Sequence, residues 1–183
     1  MRVISGTARG TKLNSIDELS TRPTLDRVKE SLFNIISSRI DESVVLDLFA
    51  GSGAIGIEFL SRGCRTAYLC DKSSKAVDMI RQNLDKTRLQ DNAMVLNMDY
   101  QKCLQKLAND GVTFDIIFID PPYKDDIAVD SVRMILSLKL LKEDGIIIIE
   151  TDEKEREIEN LKKLDVEIYD CRKYGRANLI FLN

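Results

Sequence analysis

The chain has 183 residues, with 27 Lys plus Arg, 30 Asp plus Glu and no histidine, so its formal net charge is −3. Without histidine there is no Ser-His or Cys-His nucleophile pair, no imidazole general base and no histidine metal cluster. At 44 % apolar and 31 % charged residues, the composition is that of an ordinary globular protein, and the length suits one domain with a short extension.

No apolar run is longer than four residues, as in Ile116–Ile119, whereas a membrane span needs about 20. Met1–Gly6 lacks the apolar stretch of a signal peptide. Cys64, Cys70, Cys103 and Cys171 stand far apart with no C-x-x-C spacing. They read as small apolar residues of a reducing compartment. A cytoplasmic protein without a metal or a membrane partner is expected. Charge is uneven: residues 1–39 carry +3 and the rest −6. Screening confines charge effects to about 8 Å at physiological salt, so a local basic face can hold phosphates on an acidic protein.

In chain order, residues 2–5 and 11–14 read as short strands joined through Gly6 and Gly10, a hairpin. The polar stretch 15–22 reads as a loop. Thr24 can cap a helix from Leu25, whose Val28, Leu32, Ile35, Ile36 and Ile40 keep helical spacing. From Val44 short apolar strands alternate with amphipathic helices. The strands are Val44–Leu48, Thr66–Asp71, Ala93–Met98, Phe114–Asp120 and Ile146–Glu150. The helices lie near 54–62, 74–86, 100–109 and 126–138. A charged helix, Glu153–Leu164, precedes two strands, Val166–Arg172 and Ala177–Leu182, too close in sequence to be parallel.

The pattern predicts an α/β protein with a Rossmann-like, doubly wound sheet. Seven mostly parallel strands end in an antiparallel pair, with helices on both faces. Residues 1–24 form a hairpin extension before the domain 25–183.

Val44 to Gly56 reads as strand, glycine turn and helix start, with Gly51, Gly53 and Gly56 in a G-x-G-x-x-G pattern. Glycine lets the backbone approach a ligand, yet the pattern alone is shared by many nucleotide folds. The acids narrow the choice. Asp47 ends the first strand, where a carboxylate repels a pyrophosphate and suits a cation. Asp71, 20 residues after Gly51, is placed to accept ribose hydroxyls. Asp99 can accept from an adenine amino group. A ligand with ribose, adenine and a positively charged amino-acid moiety, but no phosphate, is implied. S-adenosylmethionine fits. The candidate cofactor residues are Asp47, Phe49, Ala50, Gly51, Ser52, Gly53, Asp71, Lys72, Asp99 and Tyr100. For each acid the competing reading is a helix cap or a solvated loop carboxylate.

The fourth strand runs into Asp120-Pro121-Pro122-Tyr123, the candidate catalytic residues. Consecutive prolines make a stiff turn with carbonyl acceptors and no amide donor. The nitrogen of an aromatic amine is a poor nucleophile because its lone pair is conjugated with the ring. Asp120 and the Pro121 carbonyl can accept its N–H hydrogens and aim the lone pair at a methyl donor, and Tyr123 offers a stacking face. Catalysis is then positioning and electrostatics.

These residues resemble a class I S-adenosylmethionine-dependent amino methyltransferase. More narrowly, the chain is similar over nearly its whole length to the RsmD family of 16S ribosomal RNA guanine-N2 methyltransferases. The resemblance rests on Arg2-Val3-Ile4-Ser5-Gly6 with Arg9-Gly10, Arg22-Pro23-Thr24, Arg27-Val28-Lys29-Glu30 and Leu32-Phe33-Asn34. It continues through Asp47–Gly53, Asp120–Tyr123 and Tyr174-Gly175. It implies methyl transfer to N2 of one guanine in 16S rRNA, in the assembled or assembling small subunit; a monomer is expected. Asp71 stands where related enzymes often carry Glu. Arg2, Arg9, Lys12 and Arg22, with Arg172, Lys173 and Arg176, are the candidate RNA contacts. Other readings are an amino methyltransferase of another RNA base or of DNA adenine, a nicotinamide-dependent oxidoreductase, and a non-catalytic RNA-binding factor.

Overall fold

A computed structural model describes residues 1–15, 23–122 and 126–183, and side chains from residue 26 onward in the second segment. Seven strands form one sheet: β1 (Val44–Asp47), β2 (Thr66–Asp71), β3 (Ala93–Asn97), β4 (Phe114–Ile119), β5 (Leu141–Thr151), β6 (Ile168–Tyr174) and β7 (Ala177–Leu182). Their order is β3-β2-β1-β4-β5-β7-β6. β7 runs antiparallel between β5 and β6, and the pairings among β1 to β5 are parallel.

Among the described residues six α-helices cover the two faces: α1 (Pro23–Ile35), α2 (Ala54–Ser61), α3 (Ser74–Thr87), α4 (Tyr100–Asn109), α5 (Ile127–Ser137) and α6 (Lys154–Leu161). Side chains alternate along a strand, and the near-continuous apolar runs therefore feed two cores. Val45, Ile116, Phe118, Ile146 and Ile148 meet Leu32 and Phe33 of α1, Ile57 and Phe59 of α2 and Ile80 of α3. Leu46, Ile117, Ile119, Ile147 and Ile149 meet Leu104 of α4, Val132 of α5 and Leu161 of α6.

The N-terminal hairpin is smaller than its sequence predicts. One antiparallel bridge, Arg2 to Lys12, forms, with Val3 N donating to Thr11 O at 3.0 Å and Gly10 N to Val3 O at 2.9 Å. The reason is competition for backbone groups. Ile4 N and Ser5 N donate instead to the two Glu58 carboxylate oxygens of α2, at 2.8 and 3.0 Å. Thr7 N donates to Ser61 O at 2.8 Å. Gly6 has φ +82°, and a Cβ there would lie 1.7 Å from Ser61 O. Val3, Ala8 and Leu13 are buried in the core beside α2.

Several element boundaries also differ. α1 starts at Pro23, because proline fits the first helical turn, and it ends at Ile35 before a 3₁₀ turn, Ser37–Arg39. The side chain of Thr24, the expected cap, lies outside the described residues, as does Arg22. β5 starts at Leu141, paired with Phe114 across a register shift; the polar run Lys142–Gly145 hides that extension from a hydrophobicity pattern. β6 starts at Ile168 rather than Val166, and a backbone pair between Glu167 and Asn183, 3.1 Å in each direction, carries the pairing one residue beyond it. β1 closes at Asp47, β3 at Asn97 and β4 at Ile119, one residue before the sequence-based ends.

Candidate active site

The parallel strands deliver their acids to one edge of the sheet. Asp47 and Asp71 close β1 and β2, Asp120 follows β4, and Glu150 lies near the end of β5. Between β1 and α2 the chain turns at Gly53, which takes φ +79° as the residue capping α2. A Cβ on Gly56 would come within 2.5 Å of Leu69 Cδ2, so this glycine lets α2 pack closely on β2. Gly56 N donates to Asp47 Oδ2 at 3.0 Å. Asp47 thus ties the first turn of α2 to the strand before it, and this backbone bond is one that the sequence reading did not anticipate.

Asp71 also holds backbone. Its Oδ2 accepts from Gly51 N at 2.9 Å and its Oδ1 from Ser73 N at 2.8 Å. Asp99 caps α4, accepting from Gln101 N at 3.0 Å, which is the competing reading considered for it. Each carboxylate keeps further lone pairs beside a cavity of about 310 Å³, lined by Phe49, Asp71, Lys72, Met98, Asp99, Tyr100, Asp120 and Pro122, among others. The Phe49 and Tyr100 rings stand 5.6 Å apart, and Tyr100 Oη donates to Asp130 Oδ2 at 2.9 Å.

A second cavity, of about 180 Å³, lies across Phe49 and Asp120, which line both. Its other walls include Asp47, Ala50, Gly51, Ser52, Phe118 and Glu150, together with Met1, Val28, Lys29 and Leu32 from the N-terminal part of the chain. Burial dominates the acids here. It raises the Asp47 carboxyl to about 7, opposed by the Gly56 bond and helped by the charge of Asp71. Burial pushes Asp120 well above the usual carboxylate range, with the charges of Glu150, Asp47 and Asp152 adding to it. Burial also raises Glu150. It is the largest cause in all three, as expected when a charge loses water.

Pro121 and Pro122 follow Asp120 within the described residues, and Pro122 borders the larger cavity. Tyr123 lies outside them. The sequence-predicted site is therefore brought together from three strand ends, the glycine loop and the start of α4.

The candidate RNA contacts fall into separate places. Arg2 and Arg9 share a polar cleft of about 400 Å³ with Arg27, Asp26 and Glu30, and Lys12 faces Arg2 across the bridge. Arg172 pairs with Asp170 at 2.9 Å. Arg172, Lys173 and Arg176 are exposed around the β6–β7 turn, which the strand directions bring to the same edge as Asp120.

The sequence reading missed four residues here. Glu58 is fully buried and holds Lys29 at 3.1 Å and Arg62 at 2.8 Å. Lys29 also donates to Arg2 O at 2.6 Å; burial lowers its pKa against the pull of Glu58. Buried Asn83 donates to Asn14 O at 3.0 Å and Ser52 O at 2.9 Å, and accepts from Asn14 N at 2.8 Å. It links the N-terminal segment to the glycine loop. Glu150 is the fourth, and its signal was available: like Asp47, Asp71 and Asp120, it is an acid at the end of an apolar strand.

The whole chain, residues 1–183, matches the family model described as Conserved hypothetical protein 95. YlbH of Bacillus subtilis (strain 168), which carries a provisional designation as an rRNA methyltransferase, is 42 % identical over 159 residues, 87 % of this chain and 85 % of its own. Ribosomal RNA small subunit methyltransferase D of Haemophilus influenzae is 33 % identical over 153 residues, 83 % of this chain and 79 % of its own. Its namesake in Escherichia coli (strain K12) is 34 % identical over 152 residues, 83 % and 75 %. Among solved structures, a hypothetical protein of Thermus thermophilus matches with a TM-score of 0.81 at 28 % identity, over 99 % of this chain and 98 % of its own. The yhhF protein of Escherichia coli gives 0.81 at 28 %, over 100 % and 96 %. The chain therefore belongs to the RsmD family and has its Rossmann-like methyltransferase fold.

Proposed function

We propose that the protein is a cytoplasmic, monomeric methyltransferase that uses S-adenosylmethionine to methylate the exocyclic N2 amine of one guanine in 16S rRNA. Its substrate is the assembled or assembling small ribosomal subunit. One observation carries this reading: Asp120, a half-buried carboxylate that accepts no hydrogen bond among the described residues, sits where two cavities meet and is followed by two prolines. The names of the Haemophilus and Escherichia relatives support the rRNA of the small subunit as substrate.

The residues fit the cofactor. The larger cavity offers Asp71 and Asp99 for ribose and adenine, with Phe49, Lys72 and Tyr100 around them. The smaller one offers Asp47 and the Ala50–Ser52 backbone to a cationic amino-acid end. Gly51 has φ +54° and open space where a Cβ would stand. When bound, S-adenosylmethionine supplies an electrophilic methyl group on a cationic sulfur.

This chain does the rest by holding the amine. Asp120 and the Pro121 carbonyl accept its N–H hydrogens and turn the nitrogen lone pair toward the methyl group. A positioned carboxylate also stabilises the positive charge that grows on nitrogen. Its raised affinity for protons suits a group that receives one as the amine is alkylated. Tyr123 stacks on the base. Arg2, Arg9 and Lys12 hold phosphates on one side and Arg172, Lys173 and Arg176 on the other, with Arg22 a further candidate contact; such contacts position RNA without specifying sequence.

The test uses small subunits from cells lacking the enzyme, purified protein and labelled S-adenosylmethionine, followed by nucleoside analysis. Labelled N2-methylguanosine in 16S rRNA is expected. Labelled N6-methyladenosine keeps the mechanism and overturns the target; no label on any RNA overturns the reading.

A further inference from the structure

We propose that Glu150 reads the identity of the target base: its carboxylate accepts the N1–H of guanine beside Asp120, which takes an N2–H. The inference rests on the guanine reading above and extends it from catalysis to specificity.

The two carboxylates are neighbours by register. The register ends with Ile119 of β4 opposite Ile149 of β5, so Asp120, the first residue past β4, and Glu150 of β5 follow neighbouring positions. Both line the smaller cavity. Among the described residues neither carboxylate accepts a hydrogen bond or joins an ion pair. Lys29, whose side chain is the cationic one in the same wall, is already held by Glu58 and the Arg2 carbonyl. Both are half-buried, so water is their alternative partner, and a ligand that displaces it must bring donors of its own. The fold does not need a charge at this position: Glu150 is paired in the sheet with Leu179, and the strand residues before it are isoleucines.

The chemistry of the bases selects the ligand. Guanine presents N1–H and an N2–H side by side, two donors pointing the same way, and each can meet one carboxylate in a charge-assisted bond. Adenine sets its N6–H beside the bare lone pair of N1. Cytosine sets its N4–H beside the bare lone pair of N3. With either amine held at Asp120, that lone pair faces Glu150, acceptor against acceptor. A polar site left unpaired in this way rejects the wrong ligand by about 10⁴-fold or more. The pair of acids thus favours guanine over the other two bases that carry an exocyclic amine.

The experiment compares wild type with Glu150→Gln and Glu150→Ala on small subunits reconstituted with either guanosine or adenosine at the target position. S-adenosylhomocysteine binding is measured by calorimetry in parallel. The amide that Glu150→Gln introduces can donate to adenine N1 or turn its oxygen toward guanine N1–H, so this variant is expected to gain adenine turnover at least about 100-fold. It should narrow the guanine-to-adenine ratio of kcat/KM by a similar factor, with cofactor affinity unchanged. Glu150→Ala should lose guanine turnover without gaining adenine.

A guanine-to-adenine ratio within threefold of wild type in Glu150→Gln overturns the inference. So does a parallel loss on both substrates with an unchanged ratio, or a loss of cofactor affinity. Should Glu150→Gln not fold, the ratio in Glu150→Ala decides: a wild-type preference retained there counts against the proposal, and a collapsed one supports it. If wild type itself labels a base other than guanine, the function proposed above fails first, and it does so without any variant.

Discussion

The two cavities that meet at Phe49 and Asp120 are built from the same residue type in the same kind of place, yet their acids behave differently. On the side of Asp71 and Asp99 each carboxylate is occupied by backbone N–H groups. These acids shape the glycine loop and start α4 as well as facing the cavity. On the side of Asp120 and Glu150 the carboxylates have no such donors among the described residues, and burial raises their proton affinity. Asp47 is intermediate, with one amide and full burial. Position at a strand end brings an acid to the edge, but its supply of backbone donors decides whether it is tied into the scaffold or left free to meet a ligand.

The sharpest way to break this contrast is Asp120→Ala. Turnover should fall about 10³-fold, while S-adenosylhomocysteine affinity, read by calorimetry, stays near wild type. Normal turnover would remove Asp120 from the chemistry altogether. Glu58 is the control for a buried acid that is fully paired. Glu58→Ala leaves Lys29 as an uncompensated buried charge and should cost about 3–5 kcal/mol. Denaturant unfolding reads this, and a cost below about 1 kcal/mol would show that the Lys29 pair carries little.

Asp47 sharpens the comparison through pH. Its carboxyl is raised from 3.8 to about 7 in the folded protein, so folding tightens proton binding. The contribution is fully present below about pH 4 and is lost as the pH rises through about 7. The free protein should therefore lose stability between those values, and Asp47→Asn should flatten that part of the profile. Urea midpoints at several pH values would measure it; an unchanged slope in the variant would assign the proton to another group. Asp99→Ala tests the scaffold side: loss of the cap should cost about 1 kcal/mol, with far less effect on turnover than Asp120→Ala. Arg172→Ala should be smallest. Its exposed pair with Asp170 adds little to stability, so the melting temperature should hold, while the salt dependence of subunit binding weakens by about one unit of slope.

Much of this fold is legible in the sequence because two periodicities are strong. The apolar runs at 44–48, 66–71, 114–119 and 146–149 announce strands covered on both faces, and α3 and α4 show their buried stripes. The hairpin was not legible at its true size, because Ile4, Ser5 and Thr7 spend their amides on α2, a helix more than 45 residues further along the chain. Long-range competition for backbone donors leaves no local trace. The polar start of β5 was hidden for a simpler reason, its Lys-Glu-Asp-Gly run. Within the site, residue types at strand ends identified Asp47, Asp71 and Asp120. Which of them is bound by amides depends on how the glycine loop folds back over β2, and a linear pattern does not contain that.

The docking of the N-terminal segment has a consequence for how the molecule is made. Ile4 and Ser5 are held by Glu58, Ala8 by the Ser61 hydroxyl at 3.0 Å, and Asn14 by Asn83. During synthesis, which proceeds at about 5–20 residues per second, those partners are not yet translated when residues 3–14 leave the ribosome. This stretch must wait unpaired for several seconds, with Val3 and Leu13 unburied. It settles only after α2 and α3 have emerged, and the smaller cavity gains its Met1 wall at the same moment. A strip that is translated early is thus fixed late, and the smaller cavity closes in step with it.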